Sequence, residues 1–132
     1  RILFGERHKR GFHMRRMVAA MLVACFGGLA TPVLADMPPI TDRGQFLDLI
    51  KERTLTYPLV KLRVTADGKI TGKGMLRDVT GDWAWQDGYF CREMDWSGRT
   101  IPYNCQEVRS DGRRMRFTSD RGEGDTAVFR LR

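Results

Sequence analysis

The sequence predicts an α+β domain: one N-terminal helix packed on a curved antiparallel β-meander of about seven strands, tied by one disulfide. Three observations carry this expectation. Residues 41–53 alone space their apolar side chains at the helical period. After Pro58 the apolar residues alternate with polar ones at period two. Asp-Gly pairs at Asp67-Gly68, Asp87-Gly88 and Asp111-Gly112 punctuate the alternating runs, a strong hairpin signal.

The elements follow in order. Pro38-Pro39 makes residues 36–40 an extended lead-in. Thr41 opens the helix with a capping hydroxyl, and Asp42 sits in the first turn, where negative charge suits the helix dipole. Phe46, Leu47, Leu49 and Ile50 form its apolar stripe. It should stop near Arg53, since residues 54–57 turn β-like and Pro58 follows. Val60, Leu62 and Val64 alternate with Lys61, Arg63 and Thr65 in a first strand. A second carries Ile70 and Met75, and its Gly72 and Gly74 suggest a bend or a close backbone approach. Residues 79–85, 89–96, 101–108, 113–118 and 126–131 read as five further strands, separated by Asp87-Gly88, Ser97-Gly98, Asp111-Gly112 and Gly122-Glu123-Gly124. Sequential hairpins pair each strand with its neighbour, and closure into a small barrel is left open.

Residues 14–35 read as a secretory leader. Met14-Arg15-Arg16-Met17 is the basic start, Val18 to Ala30 is uncharged, and Val33 and Ala35 precede a cleavage that leaves Asp36 first. Residues 1–13 read as an upstream, mis-started segment, and residues 36–132 as a single domain. The expected location is the periplasm or the outside of the cell. The apolar run of 13 residues is too short to span a bilayer, which takes about 20. Leu22-Val23-Ala24-Cys25 resembles a lipobox, so the alternative is an envelope protein lipid-anchored at Cys25, the one route by which a membrane partner is expected.

The formal charge is +7, but six of the 23 basic and one of the 16 acidic residues precede residue 36, leaving 17 against 15. A nearly balanced domain has little electrostatic reason to hold nucleic acid. Both histidines, His8 and His13, also precede residue 36. Histidine-based acid/base or nucleophilic catalysis and the common zinc sites are thereby excluded from the domain. No metal, cofactor or catalytic residue is expected. Cys91 and Cys105, an even pair in an exported chain, are expected to form a structural bridge. Gly72-Lys73-Gly74 lacks the third glycine of a dinucleotide fingerprint, because Arg77 stands there.

Two surfaces stand as candidate sites. Trp83 and Trp85 point the same way on one strand and, with Tyr89, form a candidate cup for a small apolar or sugar-like ligand; the competing reading is core. Arg109, Arg113, Arg114 and Arg116 cluster about the Asp111-Gly112 turn as a candidate anion patch. Asp78, Asp82, Asp87, Glu93, Asp95 and Glu107 leave carboxylate catalysis as the enzymatic alternative.

Several segments then carry a resemblance: Arg53-Thr54-Leu55-Thr56, Ala66-Asp67-Gly68, the run Trp83-Ala84-Trp85-Gln86-Asp87-Gly88-Tyr89-Phe90-Cys91-Arg92, Asn104-Cys105-Gln106 and Phe117-Thr118-Ser119-Asp120-Arg121-Gly122. From Gly44 onward the chain resembles a family of small exported bacterial proteins of unknown function, often labelled dihydrodipicolinate reductase. The reductase itself has a nucleotide-binding glycine motif and a histidine-lysine segment, and neither is in this sequence. The resemblance therefore implies a family, an exported location and the bridge, without an activity. The expected function is binding, with a small apolar ligand or an envelope protein as partner.

Overall fold

The computed structural model describes residues 37–132. The expected upstream segment, the expected leader with its cleavage point, and Cys25 lie outside the described residues.

The chain opens with β1 (Pro39–Ile40) and α1 (Arg43–Ile50). Eight strands follow: β2 (Leu55–Tyr57), β3 (Val60–Val64), β4 (Lys69–Gly74), β5 (Arg77–Gln86), β6 (Tyr89–Trp96), β7 (Arg99–Ser110), β8 (Arg114–Thr118) and β9 (Thr126–Leu131). A short helical turn, α2 (Ser119–Gly122), joins β8 to β9. Each strand from β2 to β9 pairs antiparallel with the next, and β9 returns to β2 through Leu55 opposite Leu131 and Thr56 opposite Arg130. The sheet is a closed barrel, so β2 to β9 have no free edge to template aggregation. β1 pairs with Arg109 and Val108 of β7.

This corrects the expected α+β class. Strands hold 59% of the described residues, and α1 and α2 together are small, so the fold is a mainly β barrel. The seven expected strands are all present. The eighth, β2, is the β-like 54–57 stretch, too short to read as a strand but necessary for closure. α1 is also shorter than expected. Its N-cap is Asp42, whose carboxylate accepts the Gln45 N–H at 3.0 Å, and not Thr41. The Thr41 carbonyl instead accepts the Trp85 indole N–H at 3.2 Å.

Alternation sorts the strands into an inner apolar face and an outer polar face. Leu55, Leu62, Val64, Ile70, Val79, Trp83, Phe90, Met115 and Phe117 fill the inside. α1 plugs one end. Its Phe46 is fully buried and its ring centroid lies 5.4 Å from Trp83, 5.1 Å from Trp85 and 5.2 Å from Phe90. Arg43 donates to the Ala66 carbonyl and Arg53 to the Gly112 carbonyl, tying this segment to two turns at that end. The other two indoles also find carbonyls: Trp83 bonds Thr65 at 2.9 Å and Trp96 bonds Gly74 at 2.8 Å. Among the described residues no buried side-chain nitrogen or oxygen lacks a partner.

Two glycines permit close backbone approach. A Cβ at Gly72 would collide with the Lys61 carbonyl, and one at Gly81 would lie 2.5 Å from the Glu93 carbonyl. Gly81 pairs with Met94 beside a bulge, where Pro102 and Tyr103 of β7 oppose the single residue Glu93 of β6. Proline is tolerated there because the ladder is already interrupted.

The hairpin turns differ in chemistry. Asp87-Gly88 has φ of 52° and 83°, and Ser97-Gly98 has 47° and 92°, the left-handed pair that two-residue hairpins require. The β4–β5 turn uses the same conformation with Met75 at 48° and Leu76 at 68°. In the β2–β3 turn Leu59, after Pro58, has φ 64° where glycine is the usual residue. Leu59, Met75 and Leu76 each cost roughly 1–2 kcal/mol relative to right-handed backbone.

Candidate functional site

β6 delivers the unusual side chain. Phe90, Arg92 and Met94 point into the barrel, while Cys91 and Glu93 point outward. Arg92 thereby meets a cavity of about 200 Å³ inside the barrel. The remaining walls are Leu55, Leu62, Val64 and Ile70 from β2–β4 and Phe117, Ala127 and Phe129 from β8 and β9, with Gln106 of β7 as the second polar group. A closed barrel of eight strands is just wide enough to fill with side chains or to hold one small ligand. A cavity of about 150 Å³ takes benzene, so this one accommodates a ring or an acyl chain of about six to eight carbons.

Arg92 is half-buried. Its Nη1 donates to the Pro102 carbonyl at 2.7 Å, at the bulge. Burial lowers its pKa from the ordinary value, and no charged neighbour contributes to the shift. None of the ion pairs among the described residues engages it. A guanidinium has five N–H donors in a fork shaped for a carboxylate or phosphate. Gln106 is anchored by its Nε2, which donates to the Ser119 hydroxyl at 3.3 Å, so α2 braces this wall of the cavity. Asn104, opposite Arg92, is held the same way through Asp120, donating from Nδ2 at 2.7 Å and accepting the Asp120 N–H at 2.9 Å.

Of the expected site residues, Cys91 and Cys105 lie opposite each other on β6 and β7 and are bonded. Trp83 and Trp85 both point inward and clasp Phe46. Tyr89 lies on the outer face of β6 under the Arg121 guanidinium, 5.3 Å from its ring, so the three aromatics do not converge on one space. Arg109 and Arg116 are direct cross-strand neighbours, and Arg114 stands opposite Arg130. Arg109 pairs with Glu107 at 2.6 Å and Arg114 with Asp111 at 3.1 Å; Arg113 is exposed at the turn. Around the barrel the basic face continues through Arg130 and Lys61. Four of the carboxylates occupy the opposite side, with Asp82 facing Glu93 and Asp78 beside them on β5, near Asp95 on β6. Lys69 and Lys73 pair with Asp82 and Asp78. Among the described residues no group of three or more His, Cys, Asp or Glu side chains could hold a metal ion.

Comparison with protein-family models, curated proteins and solved structures finds no match for this chain. The Arg92 cavity is the part of the site that sequence reasoning did not single out. Its signal was present: a charge at every-second spacing among Phe90, Met94 and Trp96.

Proposed function

We propose that this protein is an exported binding domain whose barrel takes a small apolar acid, the chain or ring inside and the anionic head on Arg92. One observation carries the reading: a half-buried guanidinium, engaged by none of the ion pairs among the described residues, facing a cavity whose other walls, Gln106 apart, are apolar. Leaving such a charge without a counter-ion is costly. An entering carboxylate would offset that cost and satisfy the idle donors in the bidentate geometry that arginine favours. Gln106 supplies a second polar group toward the same space. Export belongs to the same reading, and the Cys91–Cys105 bridge supports an oxidising compartment. The intact mass of protein recovered from its host, reduced and unreduced, tests export and the bridge together.

The test of the ligand is calorimetric titration with octanoate and with octanol. Octanoate should bind about 10–100 times more tightly, the range for a hydrogen-bonded charge pair of about 1.5–3 kcal/mol. Arg92→Met should abolish that discrimination and leave the fold intact. Equal affinities for acid and alcohol, or an Arg92→Met protein that still prefers the acid, would refute the reading.

A further inference from the structure

At the barrel end opposite α1, the β2–β3 and β4–β5 turns lie side by side. The Met75 N–H donates to the Leu59 carbonyl at 2.8 Å. Together they display Leu59, Met75 and Leu76, which are 74%, 60% and 94% exposed. All three sit in the left-handed backbone region, where Gly, Asn or Asp would be relaxed and polar. Neither the strain nor the exposure serves the barrel, since Asn-Gly would make the same β4–β5 turn better. Apolar side chains held out on strained tips are accounted for by something that covers them.

We infer that these two tips dock on an anionic phospholipid bilayer. The shape argues for a membrane, because three apolar side chains project from two adjacent turn tips at one end of the barrel. The charge argues for an anionic one. A groove of about 330 Å³ behind the tips is lined by Tyr57, Lys61 and Lys73 together with Leu59, Met75 and Leu76. Lys61 and Lys73 face each other across β3 and β4, a like-charge pair that an anionic headgroup would relieve. Asp78 partners Lys73, while no ion pair among the described residues involves Lys61. Apolar tips with a cationic collar combine burial in the headgroup–acyl boundary with attraction to anionic lipid. The inference stands on turn geometry and not on the cavity, so neither outcome for Arg92 bears on it.

The test is co-sedimentation of the exported protein with phosphatidylcholine vesicles, with and without about a third phosphatidylglycerol. The wild type should sediment with the anionic vesicles, less so as salt is added. Met75→Asn/Leu76→Gly should lose at least about tenfold in partitioning while melting at or above the wild-type temperature. Lys61→Gln/Lys73→Gln should weaken binding to the anionic vesicles only. All variants carry the same N-terminus, so any contribution from the leader cancels. Equal partitioning of wild type and tip variant overturns the inference, as does a wild type that ignores anionic vesicles. A tip variant that melts lower also overturns it, since the strain argument then fails.

Discussion

Replacing Phe46 with alanine tests whether α1 is part of the barrel or merely leads into it. The side chain is fully buried and touches Trp83, Trp85 and Phe90 with ring centroids between 5.1 and 5.4 Å. Truncating a buried phenylalanine costs about 3–5 kcal/mol, the transfer loss plus the cavity left behind. Its three aromatic contacts place this site toward the upper end, because such pairs add about 0.5–1.5 kcal/mol each beyond buried area. For a domain of this size that lowers Tm by roughly 15–30 °C and moves the urea midpoint down by about 2 M. The assay is equilibrium urea unfolding followed by tryptophan emission and far-ultraviolet circular dichroism in parallel. Trp83 and Trp85 line the vacated space, so native-state emission should shift red as well. Leu47→Ala, at a partly buried position on the same helix, should cost only about 1–2 kcal/mol. A Phe46→Ala loss below about 1 kcal/mol would refute the reasoning, because α1 would then be dispensable to the core.

Two further outcomes follow from the turns and the bridge. Reducing Cys91–Cys105, which closes a separation of 14 residues, should cost about 3 kcal/mol; a change in unfolding midpoint worth less than 1 kcal/mol would mean the β6–β7 ladder already restrains the unfolded chain. The Asp111 carboxylate accepts the backbone N–H groups of Arg114 and Arg113, and these bonds hold its pKa below the ordinary carboxylate value. A lowered folded pKa means that the contribution is fully present above about pH 4 and disappears as pH falls through the folded value. The Tm gap between wild type and Asp111→Asn should therefore narrow from pH 6 toward pH 2; a constant gap would contradict it.

How much was legible depends on where local chemistry agreed with the fold. Asp67-Gly68, Asp87-Gly88, Ser97-Gly98 and Asp111-Gly112 announced four turns correctly, because left-handed backbone is cheapest for those residues. Met75-Leu76 carries no such signal, and the second strand accordingly read through to Met75. Sequence rules fail most informatively at strained, functional positions. β2 was obscured for a different reason: three residues before a proline have no readable period, and the strand is fixed by its partners β3 and β9. Closure itself is a long-range fact, since Leu55 meets Leu131 only through the completed sheet. At the site, strand alternation placed Arg92 on an apolar face, but whether that face enclosed space depended on packing around the whole barrel. Tyr89 fails as a cup residue for the same reason: that its face of β6 is the outer one was not readable from β6 alone.

The separation of charge around the barrel has a consequence for motion. Of the four carboxylates on β5 and β6, Asp78 and Asp82 are paired with Lys73 and Lys69, which leaves Glu93 and Asp95 across the barrel from the arginines and lysine of β8, β9 and β3. What remains is an uneven spread of unpaired charge across the barrel, and a field turns such a molecule even when it barely attracts it. Near an anionic sheet of charge the protein would swing its basic side inward before any atom touches. That alignment operates only within the screening length of about 8 Å at physiological salt. Encounters would be biased in orientation only over that last short distance of approach, and the bias would vanish as salt rises, while the contacts made afterwards persist.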